Sequence, residues 1–188
     1  MNAKNFSAVV LFEQFVKGEK DFGDPKSRKE ALTTKSYKKQ YQKENKKELV
    51  GDKTNDELAT YGDALLKFAL TEILFDEGIS GISEERKKYE GDKELVKVIA
   101  KHYDLLDIED FKYDEEDEKI PKDYNYDDKQ NQKGNNKQDK THKYLATTME
   151  ALLGAYYKIR KNMDEMKDIV SYWKTLIDNE KAEGENTK

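Results

Sequence analysis

Two segments of the chain place single acidic residues inside apolar sequence with helical periodicity. They are Asn55–Leu66 (NDELATYGDALL) and Leu145–Tyr157 (LATTMEALLGAYY). In each segment the polar residues recur every three or four positions, so they share one narrow face of a helix. Asp63 lies on that face in the first segment and Glu150 in the second. A carboxylate among apolar side chains is costly unless it is neutralised, hydrogen-bonded or bound to a cation.

Metal binding is the chemistry that such a pair of acids could support. Mg²⁺ prefers oxygen ligands and can be held by one or two carboxylates together with substrate phosphate. The sequence therefore predicts that Asp63 and Glu150 meet across a helix–helix contact and form one metal site. The alternative is structural, because a single acid in a buried helix is often ion-paired. Lys67 and Lys158, on the same two polar stripes, are the residues that could pair with them.

Composition narrows the class of protein. The chain has 188 residues, of which 35% are hydrophobic and 40% charged, so we expect one domain with a modest core. It has no cysteine, which excludes disulfides and thiolate metal sites and fits a reducing cytoplasm. The apolar runs are too short for a membrane span, and residues 1–4 do not begin a secretion signal. We therefore expect a cytoplasmic protein with no membrane partner.

Helical periodicity, many Lys and Glu residues and only two prolines predict an all-α fold without a sheet. Residues 1–178 are predicted to form one domain, with a mobile loop at about 107–140 and a frayed tail at 179–188. Thr54 or Asn55 is predicted to cap the helix that carries Asp63. The predicted helices are Phe6–Val16, Ser27–Lys39, Asp56–Phe75, Ser83–Lys88, Asp92–Tyr103, about Thr141 to Arg160, and Met163–Asp178.

The two acid-bearing segments resemble motifs of a known family. Asn55–Leu66 resembles the signature of the ribonuclease III catalytic domain, N-E-R-L-E-F-L-G-D-A-V-L, and Leu145–Ala155 resembles its second motif, L-A-D-x-x-E-A-L-L-G-A. Phe22–Tyr37 is similar to the family segment F-x-D-P-x-L-L-x-x-A-L-T-H-x-S-Y, and the resemblance covers roughly Phe6–Trp173. It implies a homodimeric, all-α endonuclease domain of the ribonuclease III type. Such a domain cleaves double-stranded RNA with Mg²⁺, for which Mn²⁺ can substitute.

The resemblance also implies a set of four carboxylates, which this chain matches only in part. Asp63 and Glu150 match one acid of each motif, whereas Ala59 and Thr147 occupy the other two positions. Asp56 places an acid one turn before Ala59 and is therefore a further candidate for the metal site. Asp56 and Thr147 are also candidates for orienting metal-bound water. The same replacements resemble the Mini-III ribonucleases, which lack an appended double-stranded RNA-binding domain. We therefore expect no such domain here.

The distribution of charge predicts where RNA would bind. The net charge is −5, yet residues 25–47 and 129–143 are rich in lysine and could form a local positive surface. The candidate RNA contacts are Lys35, Lys38, Lys39, Lys133, Asn136 and Lys137. The resemblance implies that a duplex lies across both subunits of the dimer. Without an extra RNA-binding domain the affinity would be low, so a ribosomal protein is a candidate partner.

Three functions remain open from the sequence. The first and favoured one is an active endoribonuclease in RNA maturation, with precursor ribosomal RNA as a candidate substrate. The second is a catalytically degraded relative that acts as an RNA-binding or ribosome-associated dimer. The third is a helical interaction protein whose acids are structural. Cleavage of duplex RNA that depends on Mg²⁺ or Mn²⁺ would separate the first function from the other two.

Overall fold

The computed structural model describes residues 3–45, 53–113 and 143–186. The helices of the described residues are α1 (Ala3–Lys17), α2 (Pro25–Ala31), α3 (Lys35–Asn45), α4 (Asp56–Asp76), α5 (Ile82–Arg86), α6 (Asp92–Glu94), α7 (Lys143–Arg160) and α8 (Met163–Asn186). A π-helical segment, Leu95–Ala100, continues α6, and a 3-10 turn follows at Leu105–Asp107. The prediction of an all-α fold is confirmed, since this part of the chain contains no strand.

The prediction of one helix over Ser27–Lys39 is wrong. α2 and α3 are separated by residues 32–34, which run beside Lys112 in a single parallel bridge. Thr34 N donates to Lys112 O at 3.0 Å, and Lys112 N donates to Leu32 O at 2.9 Å. Residues 32–34 make these hydrogen bonds to a segment distant in sequence in place of helical ones. The local preference for helix is therefore overridden at this point.

α4 and α7 cross at the centre of the molecule, and two glycines allow the crossing. A Cβ atom built on Gly62 would overlap the carbonyl oxygen of Glu150, and one built on Gly154 would overlap the carbonyl oxygen of Leu58. The main chains of the two helices therefore touch, with no side chain between them. This contact brings together the two segments that sequence analysis singled out.

α1 and α8 cover one side of this central pair with aromatic side chains. The ring of Phe12 packs edge-on against Tyr103, Tyr156 and Trp173, with ring centres 5.3–5.9 Å apart. Trp173 Nε1 donates to the Tyr103 hydroxyl at 3.1 Å, which satisfies a polar group in the core. Tyr156 and Trp173 are thus core residues.

A buried arginine ties the end of α1 to the rest of the domain. The Arg28 guanidinium donates to Phe15 O at 2.8 Å and to Val16 O at 2.9 Å, which satisfies carbonyls left open at the helix end. It also pairs with Asp110 at 2.8 Å. Arg28 therefore connects α1, α2 and the segment after the 3-10 turn.

Two further boundaries differ from their predictions. The tail predicted to fray from residue 179 is helical as far as Asn186, and Lys181 Nζ donates to Lys88 O at 2.8 Å. The predicted mobile loop is packed at its start, because Phe111 is buried against the ring of Tyr144. The rest of that loop lies outside the described residues. None of the described helices has the length and apolar character needed to cross a membrane.

Candidate active site

α4, the start of α7 and the segment that leads into α6 line a solvent-open cleft of about 690 Å³. Its walls are predominantly charged. The lining residues are Asp56, Ala59, Thr60, Asp63, Lys67, Lys87, Glu90, Gly91, Asp92, Lys143, Thr147 and Glu150. The structure thus brings Asp63 and Glu150 into one cleft although they are far apart in sequence.

The glycine crossing explains why these two acids share the cleft. Gly62 lies directly against the main chain of Glu150, and Asp63 is the next residue along α4. Each acid is therefore carried by a rigid helix, at the point where the two helices are closest. A site built on helices holds its side chains more precisely than one built on loops.

The two acids differ in their partners. Asp63 Oδ2 accepts from Lys67 Nζ at 2.7 Å, the ion pair that the structural alternative anticipated. The corresponding pair between Glu150 and Lys158 is absent, because Lys158 Nζ donates to the Ser27 hydroxyl at 3.1 Å. Lys158 is two helical turns from Glu150 and does not line the cleft.

Glu150 is the residue in the cleft whose charge is least compensated. No hydrogen bond or ion pair links its carboxylate to another residue in the part of the chain that the structure describes. Burial raises the pKa of Glu150 to about 7, and the negative charges of Asp63 and Asp92 contribute to the rise. Lys143 and Lys67 oppose it. A proton or a cation beside Glu150 would relieve this repulsion.

The donor set suits one divalent cation better than a larger cluster. Within residues 3–45, 53–113 and 143–186, no three acidic or histidine side chains are close enough together to hold a metal ion. Two carboxylates completed by phosphate and water are nevertheless a sufficient set for Mg²⁺. Asp63 and Glu150, which has no hydrogen-bond or ion-pair partner among the described residues, fit this requirement. Ala59 and Thr147 contribute no charge to the same walls.

The other residues predicted near the metal lie at the edge of the cleft or in its wall. Asp56 pairs with Lys35 at 3.1 Å and accepts from the Thr54 hydroxyl at 3.2 Å. Thr147 lines the cleft. Asn55 does not cap α4 with its side chain, which instead donates to the Thr148 hydroxyl at 3.1 Å. That buried bond fastens the start of α4 to α7.

Half of the predicted RNA contacts can be located. Lys35, Lys38 and Lys39 are in the first turns of α3, where Lys35 and Lys39 are exposed and Lys38 is half-buried. The ion pair of Lys35 with Asp56 sets the start of α3 beside the cleft. The other three, Lys133, Asn136 and Lys137, lie outside the described residues.

Sequence analysis missed the acids that α6 and the turn before it add to the cleft. Glu90 pairs with Arg86 at 2.8 Å, and Asp92 pairs with Lys143 at 3.5 Å. The sequence from residue 84 to 94 is almost uniformly charged, so it contains no periodic pattern that distinguishes one acid from another. Only the fold shows which of these acids face Glu150.

Comparison with known families identifies the class of protein. The Ribonuclease III domain family matches residues 56–160, more than half of the chain, so the chain belongs to the ribonuclease III family. The match begins at the first residue of α4 and ends at the last residue of α7, the two helices that carry Asp63 and Glu150. Ribonuclease III domains are endoribonucleases of double-stranded RNA, and this is the general activity that family membership supports. Searches among curated proteins and among solved structures found no significant match.

The repulsion around Glu150 predicts how stability depends on pH in the metal-free protein. Because the pKa of Glu150 in the folded state, about 7, is above its ordinary value, the folded state retains a proton that the unfolded state releases. The free energy of unfolding is therefore undiminished by Glu150 at low pH, where this side chain is protonated in both states. It falls as the pH rises to about 7, because the folded protein must then carry the repelled charge. One pKa unit corresponds to about 1.4 kcal/mol, so the loss is at most about 3 kcal/mol.

Urea unfolding in EDTA between pH 5 and pH 8 measures this effect. Glu150→Gln should remove the loss, so the variant should be more stable than the wild type at pH 8 and similar to it at pH 5. The comparison between the two proteins cancels the titration of all other groups. Parallel pH profiles for wild type and variant would contradict the electrostatic description of the cleft.

Proposed function

We propose that the protein is a metal-dependent endoribonuclease that hydrolyses double-stranded RNA, with Mg²⁺ or Mn²⁺ held by Asp63 and Glu150. The observation that carries the proposal is the uncompensated carboxylate of Glu150, beside Asp63, in the cleft between the helices that match the family. A divalent cation would supply charge stabilisation at the phosphoryl group and a nucleophilic water at neutral pH.

In this proposal the chain's own residues have distinct tasks. Asp63 and Glu150 act as ionised ligands on two rigid helices, while Thr147 and Asp56 orient water at the rim. Lys35, Lys38 and Lys39 contact phosphates of the duplex next to the cleft. Double-stranded RNA is recognised mainly through its shape, its phosphates and its 2′-hydroxyls. Lysines at this position can therefore bind a duplex without reading its base sequence.

An apolar stripe on α4 supports a homodimer. The apolar pattern of α4 predicts that Tyr61 and Phe68 are largely buried, but this prediction is wrong for the single chain. Their exposed fractions are 39% and 49%, and that of Phe75 is 71%. Successive members of this set are seven positions apart, so they lie along one side of the helix. At one end of the stripe the ring of Tyr61 also packs edge-on against Tyr157 of α7, with ring centres 6.0 Å apart. An apolar surface of this kind in a soluble domain typically marks an interface. We propose that a second copy of the chain covers it.

Substitution along this stripe should separate the subunits. Phe68→Glu, and more strongly Phe68→Glu combined with Phe75→Glu, would place charge in the interface and weaken the dimer at least about thirtyfold. Analytical ultracentrifugation over a concentration series measures the change. Leu106→Glu is the matched control, because Leu106 is 43% exposed but lies in the 3-10 turn and not on α4. A wild-type protein that stays monomeric at the highest concentration would exclude the dimer.

The proposal extends to the class of substrate. With a net charge of −5 and a limited basic surface near the cleft, the protein would bind bare duplex RNA weakly. A function in RNA maturation, with precursor ribosomal RNA as substrate and a ribosomal protein that raises the local concentration of RNA, suits such a protein. Its lack of cysteine fits a reducing compartment such as the cytoplasm.

One observation favours a second candidate function. Ala59 and Thr147 contribute no carboxylate to the cleft wall, and Lys67 already neutralises Asp63. A protein with this cleft could bind structured RNA as a dimer without cleaving it. Incubation of the purified protein with a uniform RNA duplex, in Mg²⁺ and in EDTA, distinguishes the two functions. Shortening of the duplex only in Mg²⁺ supports the nuclease, whereas a gel shift without shortening supports the binding protein.

A further inference from the structure

The ammonium group of Lys67 lies inside the acidic cleft. Lys67 Nζ is 2.7 Å from Asp63 Oδ2, and their side chains are 42% and 34% exposed. The hydrogen bond to Asp63 is the main cause of a raised pKa for Lys67, to which the charges of Glu90 and Glu150 also contribute. The ammonium therefore stands among three acids and remains open to solvent on one side.

This partnership differs from those of the other lysines in the cleft. Lys87 pairs with Glu84, which does not line the cleft, and Lys143 pairs with Asp92 at 3.5 Å. Both of these pairs are also more exposed than that of Lys67. Among the cleft lysines of the described residues, Lys67 is the one paired with a proposed metal ligand.

A divalent cation on Asp63 would compete with Lys67 for the charge of the same carboxylate group, whose Oδ2 atom accepts from Lys67. Once Asp63 is compensated by the cation, the ion pair loses most of its attraction. The lysine side chain is a mobile point charge on a four-carbon stem, and it would need another anion within the cleft. The phosphate of a bound RNA strand is that anion, since a lysine ammonium binds phosphate well as a point charge.

We propose that Lys67 is a catalytic residue that moves from Asp63 to a non-bridging oxygen of the scissile phosphate when the cleft holds RNA and a divalent cation. The proposal rests on the proposed nuclease function and adds a residue to it. Lys67 would stabilise the negative charge that develops on the phosphoryl oxygens, in a cleft where Ala59 and Thr147 provide no charged group.

The movement of Lys67 predicts a coupling between metal and RNA. In the RNA-free protein, binding of a cation would weaken the ion pair between Lys67 and Asp63 without giving the ammonium a new partner. In the RNA complex that cost is offset, because the ammonium has a new partner. RNA should therefore tighten binding of the cation in the wild type, and this coupling should shrink when residue 67 cannot carry charge.

Three variants test the proposal: Lys67→Met, Lys67→Arg and, as the matched control in the same cleft, Lys87→Met. The first measurement is a Mn²⁺ titration of each protein by calorimetry, without RNA and with a duplex whose 2′-hydroxyls are methylated. The second is the cleavage rate of an unmodified duplex at saturating Mn²⁺. Circular dichroism checks the fold of each variant, and it should not change because the ion pair is partly exposed.

Lys67→Met should bind Mn²⁺ about two- to fivefold more tightly than the wild type without RNA, because a competing ammonium is gone. It should cleave at least about a hundredfold more slowly, in line with the loss of one donor to developing negative charge. Lys67→Arg should retain most of the rate. Lys87→Met should match the wild type in Mn²⁺ affinity.

Two results would overturn the proposal while the nuclease function stands. One is wild-type cleavage by Lys67→Met. The other is weaker Mn²⁺ binding by Lys67→Met, which would make Lys67 a positioning residue for Asp63. If the wild type does not cleave at all, the nuclease function fails separately. The coupling between RNA and Mn²⁺ then tests the proposal. If the duplex strengthens Mn²⁺ binding equally in the wild type and in Lys67→Met, the proposed movement of Lys67 is excluded.

Discussion

Asp63→Asn and Glu150→Gln are each expected to slow RNA cleavage at least about a thousandfold at saturating Mg²⁺, while fold and dimer persist. An amide has nearly the shape of a carboxylate, but it lacks the charge that holds a hard cation. With only two carboxylates in the proposed metal site, the loss of either leaves a single charged ligand.

Unfolding does not explain the expected loss of cleavage. Asp63 is about one-third exposed, so loss of its pair with Lys67 should cost at most about 1 kcal/mol. Glu150→Gln should stabilise the protein at neutral pH, because it removes a repelled charge. Rates from a labelled duplex, with circular dichroism on the same samples, separate chemistry from folding.

Glu13→Gln is the matched control for these two variants. Glu13 is an exposed acid of α1 that pairs with Lys17 and does not line the cleft, so the same chemical change there should leave the rate unaltered. If Asp63→Asn or Glu150→Gln cleaves as fast as Glu13→Gln, the metal site proposed here is wrong.

The helices that carry the site could be predicted closely from the sequence. The predicted helix Asp56–Phe75 differs from α4 by one residue, and the predicted end of the second motif helix, Arg160, is the observed one. Both helices have a long apolar periodicity that continues over several turns, so the local pattern and the tertiary packing favour the same structure. The match to the ribonuclease III domain spans the same two helices.

Features that depend on distant contacts could not be predicted in this way. The break between α2 and α3 arises from hydrogen bonds to Lys112, far along the chain. The exposure of Phe68 has a similar origin, because an apolar face shows in the sequence without indicating whether the same chain or a second copy covers it. Asp92 belongs to the cleft only through the position of α6 relative to α7.

The partners of the two acids illustrate the same limit. Lys67 follows Asp63 by one helical turn, so their pairing is a local property of α4 and could be anticipated. Lys158 is two turns from Glu150, and its partner, Ser27, belongs to another helix. Among the described residues no lysine forms an ion pair with Glu150, although the charges of Lys143 and Lys67 act on it. Sequence spacing does not reveal this property of the proposed site.

Gly62→Ala is expected to have the largest effect on stability, because one methyl group would separate the two central helices. The added Cβ would overlap the Glu150 carbonyl oxygen, lie 2.6 Å from its carbonyl carbon and lie 3.0 Å from Gly154 N. All of these are main-chain atoms of α7, so no side chain can rotate away. We expect a loss of about 3 kcal/mol or more, the upper range for overpacking, which for a domain of this size lowers the melting temperature by about 6–12 °C.

Gly184→Ala is the matched control, since it makes the same change within a helix where the added methyl group would meet nothing within 4 Å apart from its own stretch of helix. Alanine is the better helix former, so this variant should be stabilised by about 0.5 kcal/mol, a shift of opposite sign. Differential scanning calorimetry of both variants measures the two shifts. A melting temperature for Gly62→Ala equal to that of the wild type would mean that α4 and α7 are not in main-chain contact. Because the displaced main chain is that of Glu150 itself, the same variant should also lose cleavage where it remains folded.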